Sequence, residues 1–174
     1  IQTQEKLCWN FGRKRRSISM GVYRSANISW PVSYKAVDPD KTSFVPLACD
    51  APMTCRQILT DHPKGKEYGW ILQDAKAFPL LVDAKGEVLS MAPIINSATL
   101  GAVKVGDSDL LVEMTGTDMP SLVLATSIVA CDFADAGYKI LPVKVEHPYD
   151  TGFGKSVTTP YYFQESTSTT IGAT

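Results

Sequence analysis

The chain has 174 residues, with 17 Lys and Arg against 18 Asp and Glu, and a formal charge of −1. That balance excludes a basic surface that grips nucleic acid along the whole domain, so any such role must be local or shared with other domains. The apolar content of 44% suits one globular domain with its own core, and no apolar run approaches the ~20 residues of a membrane span.

The chain begins with Ile1 rather than Met, as expected of an excised domain or a processed chain, and IQTQEKLCWN holds no secretory apolar region. Four cysteines occur, Cys8, Cys49, Cys55 and Cys131, none in a C-x-x-C pair. With only His62 and His147 beside them, no metal-ligand spacing is present, and nothing in the sequence implies a cofactor. Four free thiols fit a reducing, cytoplasmic compartment, where the sequon-like Asn27-Ile28-Ser29 carries no meaning.

In chain order, RKRR (13–16) is the one basic cluster, and SISMGVY after it alternates as a strand. KTSFVPL is a short extended segment broken by Pro46. Thr54 suits the cap of a short helix, Cys55 to Thr60, which His62-Pro63 stops, and Lys66 to Gln73 forms another. FPLLVDAKGEVLSMAP is a hairpin, with Asp83 opening the turn and Gly86 taking a positive φ. Ala102–Val105 and Leu110–Met114 form a second expected pair around Gly106–Asp109. Asp118 caps a long helix that carries Pro120 in its first turn, runs to about Asp135 and stops at Gly137. Its apolar residues cover most of its circumference, which predicts a buried helix packed on a sheet. KILPVKVEH and KSVTTPYYFQ are strands, and STSTTIGAT is a polar tail. The order predicts an α+β fold: antiparallel hairpins and a mixed sheet packed against one long buried helix and short helices.

Candidate chemistry is sparse. TGFGKS (151–156) ends like a phosphate loop, but position 149 is Tyr149 where the motif needs glycine, and a strand follows rather than a helix. No G-x-S-x-G elbow occurs, so no protein nucleophile is evident. Arg13, Lys14, Arg15 and Arg16 are candidates for RNA phosphate contact, against the commoner role of a solvated strand entrance. Glu113 sits alone in the apolar run LLVEM. Periodicity leaves two roles open: an edge-strand acid facing water, which the pattern favours, or a pocket carboxylate that recognises a ligand donor.

SMAPIIN (90–96) and EMTGTD (113–118), in this order and on matching elements, resemble paired signatures of the beta subunit of archaeal and eukaryotic-type phenylalanyl-tRNA synthetase. The likeness covers residues 7 to 165, and the matching region of that family is its central editing domain. It implies an editing domain over 1–164, with 165–174 as a tail or the start of a linker. It also implies hydrolysis of tyrosine mischarged on the phenylalanine tRNA, without the ATP-dependent ligase centre. The implied partners are the aminoacylated 3′ end of tRNA, the rest of the beta subunit and the alpha subunit. Carried over by motif, Glu113, Thr115, Ser90, Leu81 and Asn96 fall at substrate-binding positions. The sequence departs from the pattern at Ala92, which stands for a first proline, and at Ser97-Ala98 after the motif. It also reads Gly21-Val22-Tyr23-Arg24 where the family has Gly-Thr-His-Asp. A non-catalytic module that guides tRNA, and a free-standing deacylase, are the alternatives.

Overall fold

The computed structural model describes residues 2–160; the expected tail and the last residues of the final strand lie outside them. Helix α1 (Gln2–Lys6) runs into one π-helical turn, Leu7–Phe11, and a loop that leads to β1 (Ile18–Arg24). Then come β2 (Ser33–Val37) and the two-residue strands β3 (Ser43–Phe44) and β4 (Met53–Thr54). Helices α2 (Cys55–Asp61) and α3 (Pro63–Tyr68) precede the hairpin of β5 (Phe78–Val82) and β6 (Val88–Met91). The chain continues through β7 (Ile95–Asn96), β8 (Leu110–Gly116), α4 (Met119–Asp135), β9 (Val143–Glu146) and β10 (Ser156–Thr159). The fold is α+β. Among the described residues every strand pair is antiparallel, some as hairpins and others between strands distant in the chain, where the sequence led one to expect a mixed sheet.

Local chemistry explains most boundaries. Thr54 and Gln57 form a reciprocal capping box at the start of α2. His62 ends that helix and caps the next: its Nδ1 accepts from Lys64 N at 3.1 Å, and Pro63 occupies the first turn of α3. The second short helix therefore starts at Pro63 rather than Lys66, because the residue that stops one helix is well placed to start another. Asp83 tightens the β5–β6 turn by accepting from Lys85 N and Glu87 N, while Gly86 has φ +88°. Asp118 caps α4 by accepting from Ser121 N at 2.9 Å.

The four-stranded sheet, ordered β2-β5-β6-β7, separates two apolar clusters. On one face Cys55, Ile58, Tyr68 and Leu72 from the helical side pack against Phe78, Leu80 and Met91. On the other, Tyr23, Ile28 and Leu100 pack with Leu81 and Leu89. β2, a polar strand of sequence SYKAV, shows no alternation that would betray it.

The expected second hairpin does not form. Residues 102–105 make no strand, and Val105 is fully exposed. β8 pairs instead with β1 across seven register positions, from Ile18↔Gly116 to Arg24↔Leu110. β1 offers a longer and more apolar partner, so distant pairing wins over the local turn. The 102–109 segment is tied down by an ion pair, Arg24 Nε to Asp107 Oδ1 at 2.9 Å. Helix α4 packs on β8, with Val123, Ala125, Val129 and Ala130 buried. It is not buried all round: Leu124 and Ile128 are 47% and 37% exposed, because a two-stranded layer covers only one side of the helix.

Candidate functional site

The β1–β8 pair fixes which way its side chains face. Met114 turns toward α4, where its sulfur accepts from Thr126 Oγ1. Leu111, Glu113 and Thr115 therefore face the opposite side, opposed in register by Tyr23, Gly21 and Ser19 of β1. The Ser19 and Thr115 hydroxyls hydrogen-bond at 2.8 Å. Gly21 places no side chain opposite Glu113, and into that gap comes the phenol of Tyr23, which is fully buried and donates to Glu113 Oε2 at 2.8 Å.

A cleft of about 500 Å³ opens beside this pair. Ser19, Gly21 and Glu113 line it from β1 and β8, and Ser90 to Asn96 from the β6–β7 segment. Arg15, His62, Lys64 and Cys49 line it as well. Ser90, Leu81 and Asn96 form one cross-strand row, Leu81↔Ser90 and Ser90↔Asn96. Ser90 and Asn96 reach the cleft. Leu81 is buried in the core cluster that holds Tyr23, one layer behind the cleft. Thr115 does not line the cleft itself; it bonds Ser19 and supports the Glu113 carboxyl from behind.

Two buried polar atoms here lack a hydrogen-bond partner, Glu113 Oε1 and Ser90 Oγ. Ser90 Oγ approaches the Tyr23 phenol without a hydrogen bond of good geometry. Burial pushes the Glu113 carboxyl up to about 7, against the Tyr23 and Thr115 hydroxyls, which favour its charged form. Burial and the neighbouring carboxylate hold the Tyr23 phenol well above its usual range, so it acts as a donor. An edge-strand acid facing water would make none of these contacts.

The basic run divides. Arg13, Lys14 and Arg16 are exposed, while Arg15 turns inward. Its guanidinium donates to the carbonyls of Pro93 and Ile94 at 3.3 and 3.2 Å and lies 4.3 Å from the Tyr68 ring centroid. Arg15 thus ties the SMAPIIN loop to α3. Arg13, Lys14 and Arg15 have φ of 49°, 56° and 68°, a run of left-handed backbone in non-glycine residues that delivers Arg15 to this loop.

Thiol chemistry has no favourable centre among the buried cysteines. Burial pushes Cys55 up to about 11 and raises Cys8. Among the described residues, no group of three His, Cys, Asp or Glu is placed to hold a metal ion. No helix among them is long and apolar enough to cross a membrane.

Sequence reasoning missed Ser19, Gly21 and Tyr23. The period-2 alternation of SISMGVY already put them on one face, but the partner strand was assigned to 102–105. His62 reads in the sequence only as helix punctuation and Lys64 carries no signal at all; their place in the cleft depends on how α2 and α3 pack.

No family model matches the chain. It is 53% identical over 165 residues to the phenylalanine–tRNA ligase beta subunit of Treponema pallidum, covering 95% of this chain and 27% of that protein. It is 48% identical over 171 residues to that of Borrelia hermsii, covering 98% of this chain and 30% of the relative. The fold matches an N-terminal fragment of the phenylalanyl-tRNA synthetase beta subunit from Pyrococcus horikoshii with a TM-score of 0.84 and 36% identity, over 90% of this chain and 44% of that one. The chain spans less than a third of the length of these curated relatives. Identity near one half across almost every residue, on a shared fold, places the chain in the phenylalanine–tRNA ligase beta-subunit family, where it matches one segment of the curated subunits.

Proposed function

We propose that this segment is the proofreading centre of its subunit, which hydrolyses tyrosine mistakenly esterified to the phenylalanine tRNA. The observation that carries this reading is the pair of unpartnered buried atoms, Glu113 Oε1 and Ser90 Oγ, at a cleft of amino-acid size. Tyrosine and phenylalanine differ by one hydroxyl. A phenol can satisfy both atoms, whereas phenylalanine leaves them unpaired. Each buried group left so costs about 1–3 kcal/mol, more when charged. An apolar synthetic pocket rejects an added hydroxyl poorly, and a second, polar pocket supplies the opposite preference.

In the reaction, water attacks the ester carbonyl, the bond to the ribose oxygen breaks, and tyrosine leaves the tRNA with its terminal hydroxyl restored. No protein nucleophile stands at the cleft in a recognisable pairing. The domain acts by orienting ester and water, with assistance from a tRNA ribose hydroxyl. Asn96, whose Nδ2 donates to Gly101 O, stands beyond Ser90 and suits the ester or ribose end. Thr115 supports the carboxyl. The partners under this reading are the charged 3′ end of tRNA, the rest of the beta subunit and the alpha subunit, in the cytoplasm.

The test is Glu113→Ala in the intact synthetase, assayed with tyrosine- and phenylalanine-charged tRNA. A loss of at least ~10-fold in tyrosine deacylation, with loss of preference over phenylalanine, is expected. Unchanged rate and preference would sink the assignment. Absence of deacylation by the parent synthetase would instead favour a non-catalytic, tRNA-guiding module.

A further inference from the structure

We propose that Tyr23 is the positioning residue of this cleft: through the gap left by Gly21 it fixes the Glu113 carboxyl so that Oε1 alone meets the hydroxyl of the ligand. This rests on the proofreading reading for the identity of the ligand, but not for the contact itself.

The geometry leaves little freedom. Tyr23 stands two residues from Gly21 on the same face of β1, and Gly21 is the register partner of Glu113. The tyrosine ring lies back over the glycine to reach the carboxyl diagonally, with Oη 2.8 Å from Oε2. A Cβ at position 21 would stand 2.1 Å from Tyr23 Oη and 2.7 Å from Glu113 Oε2, so only glycine admits the contact. The phenol has one hydrogen and gives it to Oε2. When Glu113 is protonated, its own proton therefore sits on Oε1, and when it is ionised, Oε1 holds the free lone pairs. In both states the recognition chemistry is directed to one oxygen.

Other titratable groups near Glu113 are Cys8, in the helical turn before β1, and Tyr34 on β2. Desolvation raises both, Tyr34 even though much of its side chain is exposed, and the Glu113 charge raises them further. Arg15, His62 and Lys64 line the same cleft. None of these donates a hydrogen bond to the carboxyl; the Tyr23 and Thr115 hydroxyls do favour its charged form, Tyr23 the more strongly, so Tyr23→Phe removes the larger of the two effects.

Tyr23→Phe keeps the ring in the core and deletes only the donor. In the 174-residue chain carrying carbon-13-labelled glutamate, the Glu113 carboxyl is identified by its disappearance in Glu113→Gln. Its proton affinity is expected to rise about tenfold in Tyr23→Phe, since a donor to the charged form is lost. Gly21→Ala, which closes the gap, should move it in the same direction. In the intact synthetase the pH profile of tyrosine deacylation should shift upward with the titration in Tyr23→Phe, with preference over phenylalanine reduced at neutral pH. A purely structural role would lower activity at every pH and leave the midpoint in place. An unchanged carboxyl titration in both variants overturns the proposal. A parent synthetase that hydrolyses neither ester refutes the proofreading reading, and the titration still decides the role of Tyr23.

Discussion

Replacing Glu113 by Gln removes a titratable group from a buried site while keeping its shape and one oxygen to accept from Tyr23. The carboxyl lies at about 7 in the folded chain against an ordinary 4.5, chiefly through burial. The native state therefore binds this proton more tightly than the unfolded chain. Its contribution to stability is fully present below about pH 4.5 and is lost as pH rises to about 7, above which the penalty is constant. At 1.36 kcal/mol for each tenfold change in proton affinity, the loss is about 3 kcal/mol. Urea unfolding of both proteins from pH 4.5 to 8.5 measures it. The parent should lose about 3 kcal/mol relative to Glu113→Gln over that range. Taking the difference cancels carboxylates with the opposite dependence, such as Asp118 and Glu146, which hydrogen bonds hold below their ordinary values. Two parallel stability curves would show that the carboxyl is solvated in the native state, and the account of the cleft as a dry selector would fail with it.

A Cβ at Gly65 would lie 1.7 Å from Ile58 O, so Gly65→Ala must force α3 off α2; a loss of at least ~2 kcal/mol is expected in denaturant unfolding. Asp118→Ala removes the cap of α4 and should cost about 1 kcal/mol in the same measurement, whereas Asp118→Asn should cost less. The isolated chain, at −1 overall, should bind tRNA no more tightly than roughly 100 μM at physiological salt, and nanomolar binding in a filter assay would reveal an RNA surface beyond Arg13, Lys14 and Arg16.

Elements with strong local chemistry were legible in the sequence. Thr54, Asp83, Gly86, Asp118 and Gly137 each marked a cap or turn, and the structure has a helix boundary or a hairpin at each. Failures came where long-range pairing decides. Residues 102–105 lie next to a plausible turn, but β8 joins β1, some 90 residues away in sequence. That single misassignment hid the site's neighbours: with the wrong strand beside Glu113, neither Gly21 nor Tyr23 could be placed against it. The α4 helix shows the same limit. Its composition forecast burial, but how much of a helix is covered depends on the width of the layer beneath it. Arg15 was indistinguishable from Arg13, Lys14 and Arg16 in a run of like charges. Only the left-handed backbone of the preceding loop turns one of the four inward.

The site's energetics point to an arrangement held under tension by the fold. Above pH 7 the cleft keeps an ionised carboxyl out of water with the Tyr23 donor, the Thr115 hydroxyl and an unpaired Oε1, at a cost of about 3 kcal/mol. A ligand hydroxyl donating to Oε1 relieves part of that cost, and a hydrogen bond to a charged group contributes about 1.5–3 kcal/mol, or roughly 10- to 100-fold in affinity. Phenylalanine offers no such relief and must bury the same unpaired group against its ring. Under the proofreading proposal, the discrimination is then built into the protein before the ligand arrives, as a penalty that one class of ligand removes. It also explains why the β1–β8 pair needs a glycine opposite the acid. A side chain at position 21 would displace the Tyr23 donor and leave both carboxyl oxygens to compete for the same ligand hydrogen.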